Sequence, residues 1–263
     1  MTPATNPELR SAGDFLPSRY PTLSFPEEDW AVFCQNCEAL ELDDPNPHRK
    51  TFEALYSHLV GVNQWLNLTR LTTPADYLKF SLLDSLTLVP VLQSLCEEHS
   101  TIVDLGSGGG YPGLPLMTAM PSQNFALVDS RQKKVEFLNA SIPLIPRTGK
   151  GAAYAFRGRD VGRVHPDLLH HAEVVTARAV GKGVDLLPDA AELLAQGGVF
   201  VLMKGQSWPE EEAPLYEEAC PAFGFDVVED AELSLVPGDP VRHIILAVKK
   251  GRVDLRKSRK YLK

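Results

Sequence analysis

Two aspartates, each closing a short apolar run, are the residues whose type and spacing could do chemistry. Asp104 lies within Ile102, Val103 and Leu105 and is followed by Gly106, Gly108, Gly109 and Gly110; Asp129 follows Phe125, Ala126, Leu127 and Val128. A glycine-rich turn lets the backbone take positive φ and approach a ligand with no Cβ in the way. A carboxylate at the end of the preceding strand would face the ligand cradle of a doubly wound α/β protein. The run from Gly108 to Gly113 also fits the dinucleotide pattern G-x-G-x-x-G, which would mean NAD or FAD. An acid two residues ahead of the first glycine repels a pyrophosphate but suits a ligand carrying an ammonium and a sulfonium. Asp129 can take ribose hydroxyls in either case. Asp104 therefore discriminates, in favour of S-adenosylmethionine over a dinucleotide and over a plain tight turn.

Arg178 and Lys204 stand at or just beyond the ends of two later apolar runs, where ligands sit in such sheets. Either could hold an RNA phosphate or guanine O6. The alternatives are a salt bridge from Arg178 to an acid such as Asp84 or Asp160, and an ordinary surface lysine at 204. Cys34-Gln-Asn-Cys37 has metal-like spacing without a second pair of ligands, and on a helix it places two small residues on one face. His170-His171 lacks companions at metal spacing, and neither Ser107 nor Ser130 has a positioned histidine nearby. No metal site is expected.

The elements that must position these residues alternate. Residues 1–25 hold Pro3, Pro7, Pro17 and Pro21 and read as a flexible leader. Residues 26–97 read as a helical extension: one helix from Pro26 through Trp30, Phe33 and Cys37, a second from about His48 to Leu66, and a third from Thr73 to about Leu95. Residues 98–248 read as the core. Strands are expected at 101–105, 125–128, 152–156, 173–177 and 198–203, separated by helices, and then a hairpin with strands near 225–235 and 241–248 around Pro237-Gly238-Asp239-Pro240. The fold class is α/β, a doubly wound, mostly parallel Rossmann-like sheet with an antiparallel edge hairpin.

At 263 residues and 44% hydrophobic, the chain can bury a large core. No apolar run reads as a membrane span and no signal-type segment opens the sequence, so a cytoplasmic protein is expected. Four cysteines make no disulfide framework. The segment from Lys249 to Lys263 carries +7 against −8 for the whole chain, so the rest holds −15. A basic tail, residues 249–263, on an acidic body either attracts phosphates or is a solvated terminus.

Four segments together resemble one family: Asp104-Leu-Gly-Ser-Gly-Gly-Gly-Tyr-Pro-Gly-Leu-Pro-Leu, Asp129-Ser-Arg-Gln-Lys-Lys-Val-Glu-Phe-Leu, Thr176-Ala-Arg-Ala-Val and Met203-Lys-Gly. They are similar to the bacterial small-subunit (16S) ribosomal RNA guanine-N7 methyltransferases, the glucose-inhibited division protein B family; Asn67-Leu-Thr and Leu83-Asp-Ser-Leu fit the same pattern. The resemblance spans about Trp30 to Val248. It implies a methyltransferase sheet and methyl transfer from S-adenosyl-L-methionine to N7 of one guanosine in small-subunit ribosomal RNA, met naked or in a 30S particle, with no obligate protein partner. It also implies cofactor contacts at Asp104, Gly106, Gly108, Gly110, Tyr111, Asp129, Ser130, Arg131, Gly158, Arg159, Asp160 and Arg178, with Arg178 and Lys204 at the reacting centre. A histidine usual in the family is Ser81 here, and Arg159 stands where a glutamate is usual after the third strand. A non-catalytic RNA-binding or assembly protein on the same fold is the second reading, and an NAD-linked enzyme the third.

Overall fold

The computed structural model describes residues 11–262. Among these, seven strands form one sheet in the order β3-β2-β1-β4-β5-β7-β6. They are β1 (Thr101–Leu105), β2 (Asn124–Asp129), β3 (Gly151–Ala155), β4 (Ala172–Arg178), β5 (Leu194–Gly205), β6 (Phe225–Leu233) and β7 (Arg242–Lys249). β1 to β5 pair in parallel, while β7 runs antiparallel between β5 and β6. The order reverses between β1 and β4, and at such a switch point the loops leave a crevice at the carboxyl ends of the strands.

Both faces of the sheet are covered, so its central strands are apolar on both sides. Alternate residues divide between two cores: Ile102, Val174, Val199 and Val201 join one, Val103, Val175, Phe200 and Leu202 the other, as the two-residue period of a strand requires. The second core lies beneath α6 (Gly183–Leu193) and α7 (Ala213–Ala219). The first is continuous with α1 (Glu27–Ala39), α2 (Arg49–Asn63), α3 (Pro74–Leu95), α4 (Gly113–Ala119) and α5 (Gln132–Ser141). Trp30 and Phe52 of the extension thus share a core with Val201 of the sheet.

Three expectations are corrected here. Residues 1–10 of the expected flexible leader lie outside the described residues, but 11–25 are docked: Phe15 and Phe25 are buried, and the Phe15 carbonyl meets His58 Nε2 at 2.7 Å. Apolar side chains, not the prolines, decide the behaviour of that stretch. α3 is long and apolar enough, by length and composition, to cross a membrane. Its apolar side chains, Leu82, Leu83, Leu88 and Leu92 among them, are instead spent in the core. Finally, the basic tail is not frayed. Lys249 belongs to β7, and Nζ donates to the Ala191 and Leu194 carbonyls at 2.5 and 2.6 Å. Beyond it Asp254 N donates to Ala222 O, and Lys260 pairs with Glu218 at 2.7 Å.

α3 contains one wide turn, a π-helical segment over Leu78–Leu83 flanked by α-helical turns. Such turns release a carbonyl from the regular ladder. Here the Phe80 carbonyl accepts from Arg178 Nη1 at 2.8 Å, joining the extension to the end of β4.

Candidate functional site

Two cavities open at the carboxyl ends of the parallel strands. The first, about 230 Å³, lies over β1, β2 and β3. Its walls are apolar at Leu105, Val128, Phe156 and Leu186, and polar at Asp129, Ser130, Arg157, Arg159, Asp185 and Asp189. The second, about 600 Å³, lies over β4, β5 and the start of β7 and is lined by Phe80, Asp84, Arg178, Met203, Lys204, Glu212 and Arg242, among others. Val180 borders the first while its neighbours Ala179 and Gly181 border the second.

Gly106 makes that junction possible. Its φ is +77°, and a Cβ there would fall 2.4 Å from Val180 Cγ2. The other side of the junction is strained, since Ala179 holds φ at 55°. A non-glycine residue in that region costs about 1–2 kcal/mol. The loop is kept in place by Lys204 and Glu212: Lys204 Nζ donates to Gly181 O at 2.8 Å and to Glu212 Oε2 at 2.7 Å, and the same Oε2 accepts from Gly183 N. With its side chain only 9% exposed, Lys204 is a buried clasp, neither the surface lysine nor the free phosphate donor that its place at a strand end suggests.

Asp104 does not face the cradle. It is 1% exposed, beneath the glycine turn, where Oδ2 accepts from Gly113 N at 3.1 Å and Oδ1 from the Thr176 hydroxyl at 3.3 Å. Burial pushes its carboxyl up to about 6, against which these donors and the nearby Arg178 charge pull it down. Its observed work is to tie the start of α4 to β4. Asp129 does line the first cavity. Its Oδ1 accepts from Arg131 N at 2.8 Å and Oδ2 from Gly108 N at 3.0 Å, with Lys134 Nζ 4.0 Å away. A carboxylate offers more acceptor sites than these donors fill.

The remaining cofactor candidates divide. Gly106, Ser130 and Arg159 line the first cavity with Asp129. Gly108 and Arg131 reach it only through their amides on Asp129. Gly110 packs on Leu114, and Tyr111 is buried edge-on to Tyr77 beneath the Arg178 guanidinium, 5.5 Å away. Asp160 is turned outward toward Arg163, 3.5 Å away. Gly158 is covered by α6, because a Cβ on it would lie 2.5 Å from Asp189 Cβ. Arg178 belongs to the second cavity alone, where Asp84 Oδ2 holds Nη1 at 2.7 Å, the ion pair left open above. Asp84 Oδ1 also meets Arg242 Nε at 3.4 Å.

Asp189, Glu212 and Arg242 were missed by sequence reasoning. Glu212 and Asp189 have no local signal. Arg242 has one: a strand antiparallel to β5 begins where β5 ends, so its first residue sits at the rim. Away from both cavities, burial raises the Cys37 thiol to about 12 within α1, far from a thiolate.

A family model described as GidB, rRNA small subunit methyltransferase G, matches residues 48–229. The chain belongs to this family. Among relatives named ribosomal RNA small subunit methyltransferase G, that of Synechococcus elongatus is 36% identical over 203 residues, covering 76% of this chain and 82% of its own. The Microcystis aeruginosa protein is 31% identical over 220 residues, covering 81% of this chain and 95% of its own. The Sorangium cellulosum protein is 39% identical over 155 residues, 59% and 63% of the two chains. The family match ends at Glu229, short of Arg242, so the cleft's outer cation lies beyond the matched segment.

Proposed function

We propose that this chain transfers the methyl group of S-adenosylmethionine to N7 of a guanosine in small-subunit ribosomal RNA. The observation that carries this reading is the pair of cavities meeting at Val180. One has apolar walls and carboxylates at its rim, and the other is wide and cationic. The first fits an adenosyl group: Asp129 offers acceptors for ribose hydroxyls, Phe156 and Leu186 offer flat apolar walls, and Gly106 leaves the backbone bare toward the junction. When bound, the cofactor supplies an electrophilic sulfonium methyl.

The protein's own residues then have little acid–base work to do. Guanine N7 carries a free lone pair and is unprotonated near neutrality, so attack needs alignment more than a general base. Arg178, oriented by Asp84 and the Phe80 carbonyl, and Arg242, oriented by Asp84, hold the nucleotide in the second cavity by phosphate or base-edge contacts. Three cations against Asp84 and Glu212 leave that cavity with net positive charge. The Lys204–Glu212 clasp fixes the 179–182 segment, which borders both cavities.

The test is methyl transfer from labelled S-adenosylmethionine to small-subunit RNA, offered both naked and as 30S particles. Label should enter one guanosine and make the chain cleavable there by borohydride and aniline, which act on N7-methylguanosine. Absence of label from both substrates, or label resistant to that cleavage, would sink the proposal.

A further inference from the structure

The two ends of the first cavity are distinguishable, and that fixes how a nucleoside cofactor must lie. The Gly106–Val180 end, over β1 and β4, adjoins the second cavity. On the methyl-transfer reading, the sulfonium belongs there because the methyl has to reach the nucleobase. The ring system is left the opposite end, beyond β2 and β3, among Phe156, Arg159 and Asp189.

Asp189 sits in that end with an unusual allotment of partners. It is 8% exposed, and Oδ1 accepts both from Arg159 N at 2.9 Å and from Arg159 Nε at 3.2 Å. Oδ2 carries no hydrogen bond among the described residues. The carboxylate cannot readily swing away, because α6 packs against the bare Gly158 backbone at the point where a Cβ would strike Asp189. A carboxylate oxygen held still on the wall of a cavity, with no protein donor on it, is an acceptor open to a ligand there. Adenine offers a matching N–H at its 6-amino group, and nothing else in the adenosyl ring system donates. Asp185, one helical turn earlier, lines the same cavity nearer the 179–182 segment, its backbone N–H donating to Lys182 O at 3.0 Å.

We infer that Asp189 is the residue that selects adenine, accepting from the 6-amino group through Oδ2, and that Arg159 is a positioning residue that occupies the other oxygen. This rests on the adenosyl reading above.

Calorimetric titration of the full chain with S-adenosylhomocysteine and with S-inosylhomocysteine, whose ring has a 6-oxo group, tests it. Wild type should prefer the adenosyl ligand by about tenfold or more, the worth of one hydrogen bond to a charged acceptor. Asp189→Asn, whose amide can donate to O6, should abolish or reverse that preference, and Arg159→Ala should reduce it. Asp185→Asn should weaken both ligands alike and keep the ratio. The inference is overturned if Asp189→Asn keeps the wild-type ratio, or if Asp185→Asn is the variant that loses it. Failure of wild type to bind either ligand would overturn the adenosyl reading itself, and needs no variant to detect.

Discussion

Burial holds the Asp104 carboxyl at about 6, above 3.8 for a free aspartate, and holds the His58 imidazole at about 4, below 6.5. His58 is fully enclosed, with Ser141 on Nδ1 and the Phe15 carbonyl on Nε2. The two shifts act on stability with opposite signs. Between pH 4 and 6 the folded state holds a proton on Asp104 that the unfolded chain has released, so this group favours folding more as pH falls. Over nearly the same range the unfolded chain protonates His58 and the folded state does not, so this group favours folding less as pH falls. Each is worth about 3 kcal/mol across its window, and in wild type they largely cancel. Denaturant titrations from pH 7 to 4 should therefore show Asp104→Asn losing stability relative to wild type on acidification, and His58→Gln gaining. Parallel profiles for all three proteins would show that burial does not set these two groups. Asp129 belongs to the cavity instead. Asp129→Ala should weaken binding of S-adenosylhomocysteine by about ten- to a hundredfold, whereas Asp104→Ala should mainly lower the unfolding free energy. Calorimetry of the two folded variants separates these effects.

At the scale of elements, what could be read from sequence was what neighbours in sequence decide. β1, β2 and β4 follow from short apolar runs buried on both faces, the closing hairpin from two β-prone runs around a Pro-Gly turn, and Gly106, Asp129 and Ser130 come together because one strand and one turn carry each. Partners that arrive from far along the chain were legible only in part: Asp84, one of two acids the sequence offered to Arg178, reaches it across 94 residues, whereas Asp189, which carried no signal, reaches Arg159 across 30. The tail shows the same limit, because its charge was visible but its docking place was not. β7 runs against β5, so Lys249 ends near Leu194, at the amino end of the parallel strands and away from both cavities. The chain then folds back over the Cys220–Phe223 turn, with Tyr261 against Phe223 and its hydroxyl on the Glu218 carbonyl. Removing residues 250–263 should accordingly lower the unfolding free energy and leave the salt slope of RNA binding unchanged. A flattened slope in a binding series from low to high salt would instead place the tail on RNA phosphates.

On the scale of the whole molecule, the sheet's switch point puts two ligand sites side by side, and one loop belongs to both. The 179–182 segment touches the first cavity through Val180 and the second through Ala179 and Gly181. It holds its strained turn because Lys204 of β5 and the Glu212 carboxylate, just ahead of α7, grip it from below. Lys204→Ala leaves the half-buried Glu212 without its cation, and Glu212→Gln weakens the grip on both Lys204 and Gly183 N. Neither change removes a group from the path of the methyl. Each should nonetheless lower methyl transfer to RNA and cofactor affinity together, by about tenfold, because the loop that relaxes borders both sites. Residues acting through one shared element are non-additive. The double variant should therefore be no worse than the poorer single one in both measurements. Should Lys204→Ala slow methyl transfer while cofactor affinity holds, and should the two changes add, Lys204 would be acting directly on the nucleotide, and the clasp would be only how it rests when no RNA is bound.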